Sequence, residues 1–120
     1  MSHRGTLIAQ AAAAAIVLPA IAVAATVSPT PAQKAVIIKA FGDPKSAISC
    51  LTVRLAASNH NYATVRFRTV RSCRKWAFNG VNALKRVKGR HWKVVFEGSA
   101  YRCPVAHIPR PVQRDLSICR

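Results

Sequence analysis

Three of the four histidines, one carboxylate amid alternating apolar segments and a large excess of cations are the ingredients for catalysis that the sequence offers. His60, His91 and His107 with Glu97 could form general acid–base pairs beside an arginine-held phosphate, the chemistry of a small basic phosphodiester hydrolase. Yet His60 falls in Ser58-Asn59-His60-Asn61 and His91 in Lys88-Gly89-Arg90-His91, both turn-forming clusters. Histidines in such turns are ordinarily exposed polar groups, and Glu97 reads more simply as a neutralising partner for nearby arginines. No catalytic residue is assigned, and His60 and His91 stand only as the candidates of that enzyme alternative. The chain has no Gly-rich phosphate loop, H-E-x-x-H or G-x-S-x-G, and Ser99 in Glu97-Gly98-Ser99-Ala100 lacks the trailing glycine of a nucleophile elbow.

The densest charge lies in Leu84-Lys85-Arg86-Val87-Lys88-Gly89-Arg90-His91-Trp92-Lys93. Its first six residues follow the X-B-B-X-B-X pattern (B basic) associated with sulfated polysaccharides, and such runs bind polyanions through charge density and counterion release. On a strand, however, Lys85 and Arg86 point to opposite faces. Arg66, Arg68, Arg86 and Lys93, joined by Arg54, form the alternative: one cross-strand patch. The candidate binding residues are therefore Arg54, Arg66, Arg68, Lys85, Arg86, Lys88, Arg90 and Lys93, set against the plainer reading of a solvated outer face. Trp76, Phe78, Trp92 and Phe96 could stack on bases or sugars, but in so small a domain aromatics belong first to the core.

Cys50, Cys73, Cys103 and Cys119 are separated by 22, 29 and 15 residues, without a C-x-x-C pair. That spacing disfavours both a structural zinc site and a thioredoxin-like redox site, and no metal or cofactor is expected. Two disulfides are the natural use of four cysteines in an exported small domain. Three pairings are open. Local closure favours Cys50 with Cys73 and Cys103 with Cys119, a loop of roughly 15 residues contributing about 3 kcal/mol in the chain-entropy model.

Export itself is read from the start of the chain. Arg4 gives one positive charge, Thr6 to Val27 carries none, and Ala22-Val23-Ala24-Ala25 places small residues for cleavage after Ala24 or Ala25. Pro19, the alanine-rich composition and the lack of a basic cluster after Val27 argue against an uncleaved membrane anchor. The expected division is residues 1–25 as signal peptide, 26–33 as an extended linker and 34–120 as one basic domain, secreted or held at the cell envelope. Nineteen lysines and arginines face three acids, and losing Arg4 with the signal takes the formal charge from +16 to +15. Such a domain repels itself and adheres to polyanions. Its expected partner is an anionic polymer or envelope surface, with no sequence-specific nucleic-acid contact and no transmembrane anchor after cleavage.

The elements that must position these groups follow from periodicity. Ala32 to Phe41 predicts a short helix with Ala35, Val36, Ile38 and Phe41 on its stripe, ended at Gly42-Asp43-Pro44. Leu51–Ala57 and Tyr62–Thr69 alternate as a hairpin, with Ala63, Val65 and Phe67 on one face and Tyr62, Thr64, Arg66 and Arg68 on the other, and Cys50 and Cys73 lie outside its ends. Val81–Val87 and Trp92–Glu97 form a second hairpin, with Val87 opposite Trp92 and Ala83 opposite Phe96 on one core face. Leu84 and Val95 then fall on the outer face, the surface that the alternative of a protein-interaction or inhibitor-type domain would use. Val112 to Cys119 predicts a terminal helix with Val112, Leu116 and Cys119 inward. The sum is an α+β domain: N-terminal helix, four-stranded antiparallel meander with one face covered by helices, short C-terminal helix.

The run Trp92-Lys93-Val94-Val95-Phe96-Glu97-Gly98-Ser99-Ala100-Tyr101-Arg102-Cys103-Pro104, followed by Pro111-Val112-Gln113-Arg114-Asp115-Leu116 and Cys119, resembles small exported proteins of actinobacterial type. The resemblance implies a stand-alone exported domain with a terminal cysteine pair and transfers no activity. The W-x-V-x-x-G strand ending is also similar to cystatin-like and NTF2-like α+β domains, which is a hint of fold alone.

Overall fold

The computed structural model describes residues 25–42 and 45–120. The expected signal peptide, apart from Ala25, lies outside the described residues. The architecture is α+β: a five-stranded antiparallel sheet in sequence order, β1 (Thr26–Val27), β2 (Leu51–Ala56), β3 (Asn59–Phe67), β4 (Val81–Lys88) and β5 (His91–Gly98). Helix α1 (Pro31–Phe41) precedes β2, and α2 (Arg110–Asp115) follows the sheet. Two 3-10 segments, Lys45–Cys50 and Arg71–Trp76, lead into β2 and out of β3.

The four expected strands are present, and the fifth comes from the segment read as a linker. Thr26 and Val27 pair with Ala56 and Leu55, and α1 already begins at Pro31. Residues 26–33 are therefore structured, for two local reasons. Thr30 and Gln33 form a reciprocal capping box, Gln33 N–H donating to Thr30 Oγ1 at 3.1 Å and Thr30 N–H to Gln33 Oε1 at 2.9 Å. Gly42, at φ 85°, closes the other end of the helix in the left-handed conformation a glycine accepts most easily.

The first hairpin keeps the expected alternation, with Leu51, Val53 and Leu55 paired to Phe67, Val65 and Ala63. These residues form one core with Ile37 and Ile38 of α1, Leu84 and Trp92. The helix stripe is rotated from expectation: Ile37 and Ile38 are buried with Val36, Ala40 and Phe41 beside them, whereas Ala35 is exposed.

In the second hairpin Ala83 does oppose Phe96, but Trp92 opposes Arg86, and Val87 is 49% exposed. Two register shifts cause this, one between Ala83 and Leu84 and one between Arg86 and Lys88. Because Leu84 pairs with Val94 and Ala83 with Phe96, Val95 is the extra residue of a bulge. One inserted residue moves every later side chain to the other face. Trp92 and Val94 thus join the α1 core, while Phe96 joins a second core with Ala56, Tyr62, Ala83, Ile108, Val112 and Leu116.

That second core corrects the expectation of a sheet covered on one face. The C-terminal segment packs on the other face, so Tyr62 and Thr64, expected to point outward, are buried. Side-chain bonds to backbone hold it there. Gln113, itself buried, accepts from Val105 N–H and donates to Val105 O and Ile108 O (2.8, 2.8 and 2.6 Å). The Asp115 carboxylate accepts from Ser58 N–H at 2.8 Å and from the Ser58 hydroxyl, and Tyr101 Oη donates to Ile118 O at 2.6 Å. Disulfides join Cys50 to Cys73 and Cys103 to Cys119, with Sγ–Sγ distances of 2.00 and 2.02 Å.

Between β3 and β4 the Cα pairing is confined to Tyr62–Lys85 and Ala63–Leu84. Beyond it the Asn82 side chain takes over the ladder. Its Oδ1 accepts from Val65 N–H at 2.9 Å, and its Nδ2 donates to Val65 O at 2.7 Å. A carboxamide carries the same donor and acceptor as a peptide group, so it satisfies both buried backbone groups at once. Replacing Asn82 by alanine should lower the unfolding free energy by about 2–4 kcal/mol, since two buried groups lose their partner. Thr64→Val loses only the 3.3 Å bond from Thr64 Oγ1 to Asn82 Oδ1 and should cost less than about 1 kcal/mol. Urea denaturation of the oxidised domain measures both, and equal losses would contradict the peptide-mimic role.

Candidate functional site

The candidate binding residues separate into three groups once the strands are paired. Arg54 is half-buried and serves the fold. Its Nε donates to Thr26 Oγ1 at 3.1 Å, its Nη2 to Thr26 O at 3.1 Å and its Nη1 to Ser28 Oγ at 2.7 Å. The guanidinium therefore fastens β1 to β2, and its fixed fork of donors suits that task. Every other lysine and arginine with a described side chain is exposed.

Lys85, Arg86, Lys88, Arg90 and Lys93 occupy the half of the β4–β5 hairpin nearest its turn. Lys85 lies directly opposite Lys93, on the face where Lys85 Nζ sits 5.7 Å from the Tyr62 ring centroid. Arg86, opposite Trp92, points to the α1 face and donates from Nε to Asn61 Oδ1 at 3.0 Å. Arg86, Arg90 and Trp92 line a hollow of about 330 Å³ against Thr30 and Gln33 of the α1 cap. The cations thus surround the hairpin end from both sides instead of forming a single-faced patch. Like charges directly opposite on a ladder destabilise it, and Lys85 with Lys93 is such a pair.

Arg66 sits near the end of β3 and Arg68 just beyond it, toward the opposite end of the sheet, and the sequence reading did not separate them from the hairpin group. Arg66 Nη2 donates to Leu116 O at 2.6 Å, and Arg68 Nη1 reaches Ser49 O at 3.5 Å. With Arg74 they line a groove of about 470 Å³ that also includes Phe67 and Phe78. Arg120, with Arg110 and Arg114, lines a separate hollow of about 260 Å³ beside the Cys103–Cys119 disulfide. None of the arginines Arg74, Arg110, Arg114 and Arg120 is singled out in the sequence, because the hollows they line, one with Arg66 and Arg68 and one around the Cys103–Cys119 disulfide, form only on folding.

The aromatics also divide. Trp92 belongs to the α1 core and Phe96 to the second core, where it meets Tyr101 edge-on at 4.9 Å. Trp76 is half-buried, with Lys75 Nζ 5.3 Å from its ring. Phe78 is 42% exposed. Leu84 and Val95, expected on an outer face, are covered: Leu84 is fully buried under α1 and Val95 packs on the second core.

His60 and His91 are the exposed second residue of β3 and first residue of β5, both at the hairpin-turn end of the sheet. Glu97 lies at the far end of β5, and His107 in the loop before α2. His60 and His91 are thus separated from Glu97 by the length of a strand. Among the described residues no group of three His, Cys, Asp or Glu could hold a metal ion, and no helix is long and apolar enough to cross a membrane.

Compared with protein-family models, curated proteins and solved structures, the chain gives no match. The geometry alone must distinguish structural cations from surface ones. Arg54→Met should lower stability by about 1–2 kcal/mol through its lost bonds, whereas Lys88→Gln should stay within about 0.5 kcal/mol of the parent. Lys93→Thr should raise stability by about 0.2–1 kcal/mol at low ionic strength, and the gain should fade at high salt. Thermal and urea unfolding at two salt concentrations would expose a failure of either contrast.

Proposed function

We propose that this is an exported cationic module that binds an anionic polymer of the cell envelope or its surroundings through the distal half of the β4–β5 hairpin. One observation carries the reading: Lys85 and Lys93 face each other across the ladder, among Arg86, Lys88 and Arg90, with no acid in the run. Holding these charges together opposes folding, and a polyanion supplies the missing countercharge while its condensed ions are released. The mixture of lysines and arginines on both sides of one hairpin end suits recognition by charge density. It does not suit the reading of a particular sequence or stereochemistry.

Export places this surface among extracellular anions, and the two disulfides suit an oxidising compartment. We place signal cleavage after Ala24 and not after Ala25, so that the mature chain begins at Ala25. Its carbonyl accepts from Ala57 N–H at 3.1 Å, continuing the β1–β2 pairing, and cleavage one residue later would remove that acceptor. Intact mass of the secreted protein should correspond to residues 25–120 with all four cysteines oxidised. A mass lacking Ala25, or retaining the leader, would refute this processing site.

Heparin and duplex DNA are suitable probes of the hairpin. Binding should fall steeply with salt, and converting Lys85, Lys88, Arg90 and Lys93 together to glutamine should reduce the slope of log K against log salt by roughly 3 to 4. Release of the wild-type domain at low salt, or an unchanged slope in the variant, would remove the basis for this reading.

A further inference from the structure

We propose a second site at the opposite end of the sheet, where a single-stranded nucleic-acid segment lays one base on the exposed ring of Phe78 and its flanking phosphates on Arg66, Arg68 and Arg74. The site goes beyond the charge-driven reading of the hairpin, since it uses none of the hairpin's cations. Along the strand direction Gly80, just before β4, lies roughly 17 Å from Lys85 and roughly 26 Å from Lys88 at the usual rise per residue.

Two adjoining hollows define it. The first, of about 470 Å³, is lined by Arg66, Arg68 and Arg74 together with Phe67, Phe78 and Gly80. The second, of about 350 Å³, shares Phe78 and Gly80 but is bordered by Asn79, Glu97 and Ser99. Phe78 therefore stands between a cationic groove and a polar one holding a carboxylate. Its ring is set in place from behind, edge-on to Phe67 at 4.9 Å and tilted against Phe41 at 5.9 Å, yet remains 42% exposed. The chain can pass this closely only because residue 80 is glycine: at φ 112° an added Cβ would lie 2.7 Å from Gly98 O.

The chemistry of the two hollows selects the ligand. All three cations of the first are arginines, whose planar forks bind phosphate in a bidentate manner that lysine does not match. Arg66 is already braced by its bond to Leu116 O, so less freedom is lost when it engages a ligand. A supported, exposed aromatic face beside guanidinium groups is the arrangement on which unpaired bases stack. Glu97, exposed in the second hollow, would repel a uniformly anionic chain such as a sulfated glycan. It can accept a hydrogen bond from a base amino group, as carboxylates do from cytosine. A ligand with phosphate on one side and a neutral, hydrogen-bonding ring on the other satisfies both hollows.

The test uses the oxidised mature domain and end-labelled decamers read by fluorescence anisotropy at fixed salt. The probes are an oligodeoxycytidylate, an abasic decamer with the same phosphates, and a heparin decasaccharide. The wild type should bind the cytidylate about tenfold more tightly than the abasic strand, the gain that one stacked base supplies. Phe78→Leu should abolish that difference and leave heparin binding unchanged, while Phe78→Tyr, which keeps the ring and its support, should retain it. Arg74→Gln should weaken the cytidylate and abasic strands alike. Equal affinity of the wild type for the cytidylate and abasic strands overturns the proposal, as does a Phe78→Leu variant that loses heparin to the same extent. Heparin binding without base discrimination refutes this site alone. Failure to bind any of the three probes refutes the hairpin reading as well.

Discussion

A surface of like charge has to be held closed, and much of this structure answers that constraint. Among the described residues only Glu97 and Asp115 are acidic, and Asp115 is committed to the Ser58 turn. Mutual repulsion opposes compactness, and a chain of this size buries only a modest core. The domain compensates by burying both faces of its sheet, one under α1 and one under the C-terminal segment. Two disulfides then tie the two 3-10 segments to each other and the C-terminus to Cys103.

Polar side chains inside the fold serve the backbone. Asn82 substitutes for a peptide group where β3 and β4 separate, and Gln113 holds the loop before α2 through three bonds. Arg54 does the same for the N-terminal strand. These are neutral or singly charged groups meeting peptide dipoles, so their stability does not require opposite charges that the sequence scarcely contains. Buried polar groups fully satisfied in this way also specify one arrangement among many compact ones.

With both faces covered, the cations are displaced to the ends of the sheet. The hairpin end collects five of them from nine consecutive residues, while the opposite end assembles Arg66 and Arg68 with Arg74 from a separate 3-10 segment. The first is a charge cluster, legible along the chain. The second is a shaped groove with an aromatic floor, created by the approach of β3, the 3-10 segment and the start of β4. Their different compositions, mixed lysine and arginine against arginine alone, give the two ends different recognition chemistry.

Local patterns were sufficient for much of the fold. Period-two alternation located β2 to β5, the run before Gly42 located α1, and local loop closure identified the cysteine pairs, because these depend on neighbours within one element or hairpin. Three features escaped. The strand at Thr26–Val27 pairs with Ala56 and Leu55 and is fastened by Arg54, 28 residues away, contacts with no local signature. The Val95 bulge reverses the face of Phe96, and a single extra residue leaves no mark on an apolar run. The C-terminal segment buries Tyr62 and Thr64, which the alternation sets on the face away from the core. Of the candidate cations, the sequence by itself determined their number, sign and the dense hairpin run. Only the tertiary structure decided that Arg54 is a brace, that Lys85 confronts Lys93, and that Arg74 and Phe78 stand beside Arg66 and Arg68. Charge is a property of composition, but a site is a property of which distant residues the packed sheet brings within reach of one ligand.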